Sequence, residues 1–362
     1  MKFHKKISRN KLISANKDNK KAAAIARLKY IESCKSGIQR KKIGKGFVYF
    51  LKEKKITNKT ILDRIKKLAI PPSWSDVWIC PSANGHIQAT GLDLNKRKQY
   101  RYHESWNLLR NETKFHRLYE FGKVLPNLRV KANNDLRENE LTQKKVLAAV
   151  VKIMERTYIR VGNNGYEKLY GSYGLTTLKD RHIAINKDQV LFSFIGKKKI
   201  SHEVVLRDRR LAKIVKQCRD IPGKQLFQYY TKDNKRRKID SGMVNSYIRH
   251  CTREDYSAKD FRTWAGSVKA LDSLKKQGPA ESASDNKKNV LTMLDEVSKE
   301  LGNTRNVCKK YYIHPAIITL YEKNELLPCL EKYDSSAKPK QNLTASEQLL
   351  MHFLSRCLNN QS

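Results

Sequence analysis

Two adjacent tyrosines, Tyr311 and Tyr312, follow two lysines and precede His314 in the stretch LGNTRNVCKKYYIHP. A tyrosine hydroxyl can act as a nucleophile, and neighbouring cations favour its ionised form. Adjacent aromatic residues are also common where one side chain packs into a core and its neighbour covers a surface. The pair is therefore either reactive or structural, and the rest of the chain must distinguish the two.

The chain is strongly basic along its whole length. Its 362 residues contain 75 Lys and Arg against 35 Asp and Glu, a formal net charge of +40. Such an excess attracts a polyanion, and nucleic acid is the first expectation. A membrane surface would call for an amphipathic basic helix or a lipidation signal, and the N-terminal sequence shows neither. No apolar run is long enough to span a bilayer, and we find no secretory signal.

The sequence shows no familiar metal or nucleotide site. Seven cysteines are dispersed without a C-x-x-C pair, which argues against a zinc ribbon and a disulfide framework and fits a reducing compartment. A Walker phosphate loop, a glycine-rich dinucleotide fingerprint and an H-E-x-x-H helix are all missing. We therefore expect chemistry that uses neither a metal nor a nucleotide cofactor.

Without a metal, chemistry on a phosphodiester needs three kinds of side chain. Permanent cations must stabilise the phosphoryl oxygens, an acid must protonate the leaving oxygen, and a nucleophile must attack phosphorus. Arginine suits the first task because its charged planar fork matches two phosphate oxygens. Lysine can be the acid where desolvation or nearby cations lower its pKa. A tyrosine nucleophile would conserve the energy of the broken bond in a phosphotyrosyl link.

The N-terminal part predicts a basic arm followed by a β-rich domain. Residues 1–45 are rich in lysine and poor in bulky apolar side chains, so we expect a flexible arm with at most a short helix. Within residues 46–132, GKGFVYFL predicts a strand and NKTILDRIKKLAI a helix, and DVWIC with HIQATG predicts a hairpin. A mixed sheet with one or two helices follows.

Residues 133–332 predict a largely helical domain with one small sheet. LTQKKVLAAVVKIMERTYIRV places Val146, Val150 and Met154 on one apolar stripe, which predicts a buried helix that ends beside Arg160. DQVLFSFIG and ISHEVVL predict a hairpin with three lysines at its tip. The two parts together predict an α+β protein.

Several helix boundaries can be predicted from single residues. Ser241 and Ser257 stand at expected N-caps, the second within a capping box. Gly302 should end one helix, and Thr304 should cap the next, which carries the two tyrosines. Residues 333–362 are expected to form a linker and a short amphipathic helix.

Several motifs, taken in order, carry a resemblance to a known enzyme family. They are IPPSWSDVWIC, NGHIQATGLDLNKRKQYRYH, IRVGN, YGLTTLKDRH, LRDRRLAKIVKQC, AKDFRTWAG and LGNTRNVCKKYYIHP. Together they resemble type IB DNA topoisomerases, in the short form of poxviruses and many bacteria. The resemblance runs nearly collinearly from GKGFVYFL to YYIHPAIITLYE. It implies a mainly β N-terminal domain and a largely helical catalytic domain that close around duplex DNA as a clamp.

The resemblance also implies a catalytic set. YIRVG places the first arginine at Arg160, FIGKKK places the acid at Lys197, and KDFRTW places the second arginine at Arg262. The spacing to Ile-His-Pro makes Tyr312 the nucleophile, with Tyr311 as a neighbour that packs or lines the site.

Two positions depart from the family pattern. Poxvirus members carry a histidine where this chain has Asn303, so the resemblance assigns transition-state stabilisation to a neutral amide, as in the bacterial form. The proline that often follows Asn-Thr is Arg305 here, a change that we expect to affect the turn alone. Neither change removes the nucleophile, the arginines or the lysine.

Each candidate taken alone also has a plainer interpretation. Arg160 could cap a helix C-terminus, Lys197 could be a solvated loop lysine, and Asn303 could be an ordinary turn residue. Arg262 lies in the first turn of its helix, where the dipole disfavours a cation, so a structural role explains it less well. The ordered set favours catalysis because coincidence at every motif is improbable.

The stretch NKRKQYRYH interleaves cations with polar and aromatic residues, as in a strand that reads a DNA groove. The resemblance assigns DNA contacts to six residues: Gln99 and Tyr100 at base edges, Arg97, Lys98 and Tyr102 at the backbone, and Tyr166 at a phosphate near the cleaved bond. An exposed basic strand that contacts phosphates alone is the alternative, and the sequence leaves it open.

The sequence therefore predicts a monomeric type IB topoisomerase that relaxes double-stranded DNA without ATP or metal. Tyr312 would form a 3′-phosphotyrosyl bond and leave a 5′-hydroxyl, and reversal would reseal the strand. We expect the protein in the cytoplasm, associated with the nucleoid, with no membrane partner.

Two other functions fit part of the sequence. A tyrosine recombinase uses similar chemistry but typically shows H-x-x-R, where this chain has Lys259-Asp260-Phe261-Arg262. A non-catalytic, basic nucleic-acid-binding protein would explain the charge but not the ordered motifs. Both alternatives are therefore disfavoured.

Overall fold

The computed structural model describes most of the chain: residues 11–12, 14–15, 18–32, 36–44, 46–94, 96–331 and 342–359. The chain divides into two compact units, one up to Arg117 and one from Leu118 to Asn359. The division falls inside one long helix, Glu104–Asp135. The predicted boundary between residues 132 and 133 lies in the same helix and stays a prediction. Among the described helices, none is both long and apolar enough to cross a membrane.

A six-stranded sheet forms the centre of the first unit. Its strands are β1 Ile38–Ile43, β2 Gly46–Leu51, β3 Lys54–Lys55, β4 Ser75–Ile79, β5 Ile87–Leu92 and β6 Lys98–Tyr102. They lie in the order β3-β2-β1-β4-β5-β6, and every pairing between these strands is antiparallel. The hairpin predicted from DVWIC and HIQATG is confirmed as β4 and β5. The expected mixed sheet is instead antiparallel. Short connections join every neighbouring pair of strands except β1 and β4, and a parallel pair needs a long crossover.

Much of the predicted N-terminal arm is folded where the structure describes it. Strand β1 lies between β2 and β4, and Asn19–Ile25 form helix α1, which Asp18 caps. Two alanines of α1 are buried in a cluster with Trp106 and Leu109. The short helix that the sequence allowed in this arm is confirmed as α1. The expectation of a flexible arm is wrong for the described residues, because the alanines of α1 bury an apolar face and β1 pairs with two strands. Residues 1–10 lie outside the described part of the chain.

The helix predicted in NKTILDRIKKLAI is confirmed as α2, Lys59–Lys67. Asn58 is the N-cap of this helix, and its side chain accepts a hydrogen bond from the backbone N–H of Ile61. Ile65 of α2 is buried with Val77 and Ile79 of β4. The helix and the sheet therefore bury a common apolar face.

Helices dominate the second unit, as the sequence predicted. They are the end of α3 (Glu104–Asp135), then α4 Gln143–Thr157, α5 Asn164–Tyr170, α6 Arg209–Arg219, α7 Ser241–Thr252, α8 Ala258–Gln277, α9 Ala283–Leu301, α10 Arg305–Tyr311, α11 Pro315–Glu322, α12 Leu326–Glu331 and α13 Ala345–Asn359. Val146, Val150 and Met154 of α4 are buried in the main core. The apolar stripe predicted for this helix is confirmed.

A three-stranded antiparallel sheet interrupts the helices. Its strands are β7 Ile183–Asn186, β8 Gln189–Ile195 and β9 Ser201–Arg207, in that order. The predicted hairpin is confirmed as β8 and β9, and Lys197–Lys199 form a turn of 3-10 helix at its tip. A separate two-stranded ribbon pairs β10 Gln228–Tyr230 with β11 Arg236–Lys238.

Local sequence determines most helix ends, with one exception. Ser257 forms the predicted capping box at the start of α8, and Thr304 caps α10 as predicted. Gly302 ends α9 in the left-handed conformation, with φ of 55°. At α7 the N-cap is Asp240 and not the predicted Ser241, because the aspartate one residue earlier accepts the backbone hydrogen bond.

The predicted C-terminal helix, α13, packs into the core of the second unit, where Phe353 is fully buried. Glu347 accepts hydrogen bonds from Arg129 of α3 at 2.6 Å and from the indole of Trp264 in α8 at 2.9 Å. Arg129 also binds Glu155 of α4 at 2.6 Å. These four side chains join four helices.

The ionised form of Glu347 contributes to stability. Burial alone would raise the pKa of Glu347, but hydrogen bonds and charge from Arg129 outweigh burial and lower it. A carboxyl whose pKa is lowered by folding stabilises the protein above its unfolded pKa. That contribution is lost as pH falls through the folded pKa.

We expect Glu347→Gln to lower the free energy of unfolding by about 2 kcal/mol at neutral pH, because it weakens charge-assisted hydrogen bonds in a buried network. The loss should be smaller at about pH 3, which lies below the ordinary carboxyl pKa, because the contribution of the ionised form declines there. Urea unfolding at the two pH values measures both effects.

The matched control is Glu296→Gln on the exposed face of α9. It should change the free energy of unfolding by no more than about 0.5 kcal/mol. A Glu347→Gln loss of the same size at both pH values would contradict the electrostatic account.

Candidate active site

Arg160 lies just beyond α4 and reaches the end of α9. Tyr158 ends α4 with a φ of 53°, and this left-handed residue redirects the chain toward Arg160. The Arg160 guanidinium donates hydrogen bonds to the Gly302 carbonyl at 3.1 Å and to Asn303 Oδ1 at 2.7 Å. The last carbonyls of a helix lack intrahelical partners and carry partial negative charge, which suits a guanidinium. The same contact orients the amide of Asn303.

Arg262, near the start of α8, is almost fully buried, at 5% exposure. Its Nη2 donates to the Leu301 carbonyl at 2.5 Å, and its Nη1 donates to the Tyr158 carbonyl. Its Nε has no hydrogen-bond partner among the described residues. Arg262 lies in the first turn of α8, where the dipole of α8 disfavours a cation. Its guanidinium instead binds the C-terminal end of α9, where a cation is favoured.

Neither of these two guanidinium groups forms an ion pair with a carboxylate of the described chain. Burial and the charge of Arg262 lower the pKa of Arg160 to about 10, so Arg160 remains charged at neutral pH. Like charges held together away from water are costly, and a bound anion would relieve part of this cost. The pair is therefore suited to a phosphate.

The two tyrosines have different environments. Tyr312 lies one residue past the end of α10, half-buried, with its ring centre 5.2 Å from the guanidinium carbon of Arg262. Tyr311 is 39% exposed, and the amino group of Lys310 lies 5.5 Å from its ring centre. Tyr312 thus lies beside the cationic pair, whereas Tyr311 lies at the surface.

Helix α8 holds the backbone of Tyr312 by close contact. A Cβ added at Gly266 would lie 2.7 Å from the Tyr312 carbonyl oxygen. Ser267 Oγ donates to that same oxygen at 3.2 Å and accepts from the His314 backbone at 3.0 Å. The same helix therefore carries Arg262 and fixes Tyr312. Neither Gly266 nor Ser267 is among the predicted site residues, although Gly266 ends the motif AKDFRTWAG and Ser267 directly follows it.

Cys308 is a second potential nucleophile on α10, and it is fully buried. Burial raises the pKa of its thiol to about 11, although the charges of Arg262 and Arg160 oppose the shift. A protonated, buried thiol is a poor nucleophile. Tyr312 is therefore the better candidate for attack on a bound phosphate.

Lys197 lies at the exposed tip of the β8–β9 hairpin. Within the described residues its amino group makes no hydrogen bond to the other four predicted catalytic residues. His202 of β9 is not among the predicted site residues. Its ring lies between Gly196, at the tip of this hairpin, and Gly302, at the end of α9. The described residues also contain no cluster of three or more His, Cys, Asp or Glu side chains arranged for a metal ion.

Asp93 holds two of the residues predicted to contact DNA. Arg97 forms an ion pair with Asp93 at 2.6 Å, and the Gln99 amide donates to Asp93 at 2.9 Å. This carboxylate is not among the predicted site residues, although it precedes Arg97 by four residues in an otherwise basic stretch. Any contact of these two side chains with DNA has to compete with Asp93.

Lys98, Tyr100 and Tyr102 share the other face of β6, because alternate residues of a strand point the same way. The rings of Tyr100 and Tyr102 stack with centres 5.7 Å apart, and both are exposed. In the second unit, Tyr166 is exposed and stacks against Tyr170, with ring centres 6.0 Å apart. The DNA contacts of these residues stay a prediction.

If Tyr312 is the nucleophile, Gly266→Ala should slow DNA cleavage by about 100-fold, because the new methyl group must displace Tyr312 from its place beside Arg262. Single-turnover cleavage of a duplex oligonucleotide measures the rate. Gly46→Ala adds a methyl group where the nearest atom lies 4.0 Å away and serves as the control. Equal rates for the two variants would contradict the close-contact account.

Two family models match the chain. "Eukaryotic DNA topoisomerase I, catalytic core" matches residues 97–332, which include all five predicted catalytic residues. "Bacterial DNA topoisomerase IB, N-terminal domain" matches residues 46–93. The matched ranges leave out β1, α1 and α13.

The chain is also similar to named viral proteins. It is 30% identical to the DNA topoisomerase 1B of Acanthamoeba polyphaga mimivirus over 297 residues, which cover 80% of this chain and 88% of that protein. It is 24% identical over 247 residues to the DNA topoisomerase I of monkeypox virus and to the DNA topoisomerase 1B of vaccinia virus (strain Copenhagen), covering 67% of this chain and 74% of each relative. Because the core model spans well over half of the chain, the chain belongs to the type IB DNA topoisomerase family.

Proposed function

We propose that this chain relaxes supercoiled DNA by cutting and resealing one strand, with Tyr312 as the nucleophile. The tyrosine oxygen bonds to phosphorus and loses its proton, and the bond from phosphorus to the 5′-oxygen breaks. The products are a 3′-phosphotyrosyl link and a 5′-hydroxyl. Torsion in the duplex then drives rotation about the uncut strand, and the reverse attack reseals the cut. ATP is not needed, because the phosphotyrosyl link conserves the energy of the broken bond. A metal is not needed, because Arg160 and Arg262 supply the positive charge at the phosphoryl oxygens.

One observation carries this proposal: two guanidinium groups that have no carboxylate partner among the described residues lie beside the ring of Tyr312. Arg160 and Arg262 are oriented by backbone carbonyls, which fix their direction but leave their charge uncompensated. A scissile phosphate between them would receive charge-assisted hydrogen bonds that strengthen as negative charge develops. The unpartnered Nε of Arg262 is an additional donor.

Asn303 completes the set of phosphate ligands in this proposal. Its Oδ1 accepts from Arg160 at 2.7 Å, so its amide nitrogen is the group turned to other partners. That nitrogen is 3.4 Å from the Leu301 carbonyl, a weak contact that an anionic oxygen can replace. A neutral amide donor supports the transition state without adding charge to the free site.

Lys197 is the proton donor in this proposal. It must reach the 5′-oxygen on the side of the phosphate opposite Tyr312, because attacking and leaving oxygens lie in line. Its place at the tip of an exposed hairpin leaves the long side chain free to approach bound DNA.

The DNA-binding surface is also part of the proposal. The strand β6 supplies exposed aromatic and cationic side chains in the first unit, and Tyr166 supplies one in the second. We propose that both units bind the same duplex as a clamp and that the protein acts as a monomer wherever it meets duplex DNA in the cell. The charge of +40 supports this assignment.

The test of the function is relaxation of negatively supercoiled plasmid in a chelator without ATP. The wild type should produce relaxed topoisomers and a covalent DNA adduct that a denaturant traps. Tyr312→Phe should abolish both, because phenylalanine has no hydroxyl. Tyr311→Phe is the matched control and should keep substantial activity, since Tyr311 lies at the surface. An adduct formed by Tyr312→Phe would show that the nucleophile is wrongly assigned.

The role of Lys197 is tested with a substrate whose bridging 5′-oxygen is replaced by sulfur. Lys197→Ala should slow cleavage of the oxygen substrate by about 10²- to 10⁴-fold, the usual contribution of a positioned acid. A thiolate leaves without protonation, so the sulfur substrate should restore the rate for Lys197→Ala but not for Arg262→Ala. Rescue of Lys198→Ala in place of Lys197→Ala would identify a different acid.

A further inference from the structure

His202 connects two parts of the candidate site that are far apart in sequence. It lies on β9 opposite Phe194 of β8, and the two rings stack with centres 5.1 Å apart and planes 13° apart. This stacking fixes the plane of the imidazole. The Cδ2–Nε2 edge of the ring lies against Gly196, next to the tip of the hairpin.

Two glycines leave room for the imidazole. A Cβ at Gly196 would lie 2.5 Å from Cδ2 and 2.6 Å from Nε2 of His202, and a Cβ at Gly302 would lie 2.5 Å from Cε1. Gly196 directly precedes Lys197, and Gly302 directly precedes Asn303. The ring is therefore wedged between the backbone beside the proposed acid and the backbone beside the proposed phosphate ligands.

The tip of the hairpin has little packing of its own. Lys197, Lys198 and Lys199 are exposed, and the last two have left-handed φ angles of 64° and 59°. The Gly196 amide donates to the Ile200 carbonyl at 2.7 Å and closes the turn. At the base, the Tyr173 amide donates to the Ile195 carbonyl at 2.8 Å. The ring of His202, which lies against Gly302, connects this hairpin to the end of α9.

The imidazole of His202 can lie beside the two arginines because it carries no charge. Burial and the charges of Arg160 and Arg262 lower the pKa of His202. The ring is therefore neutral at neutral pH and adds no third positive charge beside the arginines. A neutral, flat ring can pack against two peptide backbones at van der Waals distance.

We propose that His202 is a positioning residue, which holds the turn that carries Lys197 against the Gly302–Asn303 segment and so sets the distance from the Lys197 amino group to the phosphate. The inference rests on the proposed role of Lys197 as the proton donor. His202 acts through Lys197 and does not touch the reacting atoms. Its loss should therefore mimic, in weaker form, the loss of the acid.

The experiment compares single-turnover cleavage of the oxygen substrate with that of the 5′-sulfur substrate. His202→Ala should slow cleavage of the oxygen substrate by about 10- to 100-fold, the effect of a displaced catalytic group. The sulfur substrate should recover most of that loss, because its leaving group needs no proton. His250→Ala, at an exposed site on α7, is the matched control and should cleave both substrates at the wild-type rate.

A second variant tests the contact from its other side. Gly196→Ala places a methyl group against the ring, so it should show the same selective recovery with sulfur. In the double variant His202→Ala with Gly196→Ala, the methyl group has room, so the two effects should be less than additive. Gly196→Ala also provides the test if His202→Ala fails to fold.

The outcomes separate this inference from the proposed function. If sulfur rescues Lys197→Ala but neither His202→Ala nor Gly196→Ala, the positioning role is wrong and the acid assignment stands. If sulfur does not rescue Lys197→Ala, the acid assignment itself is wrong. A loss in His202→Ala that is equal on both substrates would indicate a general structural role and overturn the inference.

Discussion

The site depends on two guanidinium groups, Arg262 buried and Arg160 half-buried, that are held by carbonyl oxygens and by no carboxylate of the described residues. Leu301 and Gly302, at the end of α9, accept the hydrogen bonds that orient Arg262 and Arg160. A carbonyl dipole can direct a guanidinium without cancelling its charge, whereas a carboxylate would neutralise it and occupy the place of a phosphate. Two like charges held together cost free energy, and a bound phosphate offsets part of that cost. The folded chain is thereby prepared for an anion before one arrives.

This constraint determines where the tyrosine must be. Helix α9 has to end at Gly302 so that its last carbonyls are exposed to the arginines, and Thr304 then begins a helix of only seven residues. That short helix brings Tyr312 back to α8, where Gly266 permits direct contact with its backbone. The helix that supplies Arg262 also fixes the tyrosine, so a movement of α8 moves both groups together. Preorganisation of this kind lets the site act on developing charge without rearrangement.

Segments beyond the matched family ranges support the two units. In the first, β1 lies in the middle of the sheet, so the sheet could not form as it does without residues that looked like a disordered arm. In the second, α13 places Glu347 between Arg129 and Trp264, and Trp264 lies two residues beyond Arg262 on α8. A buried ion network of this kind depends on every partner, because removal of one leaves another charge unpaired.

The sequence alone determined the charge, the order of the motifs, the apolar stripe of α4, the β8–β9 hairpin and the caps at Ser257, Gly302 and Thr304. Each of these is set within a few residues by periodicity, backbone conformation or a local hydrogen bond. Only the tertiary structure decided which side chains meet: Asp93 with Gln99, Glu347 with Trp264, and His202 with Gly302. It also showed that α1 packs through its buried alanines. Likewise, only the structure showed that Tyr311 lies at the surface while Tyr312 faces Arg262. Such contacts depend on how distant elements pack, and no local pattern in the sequence encodes that geometry.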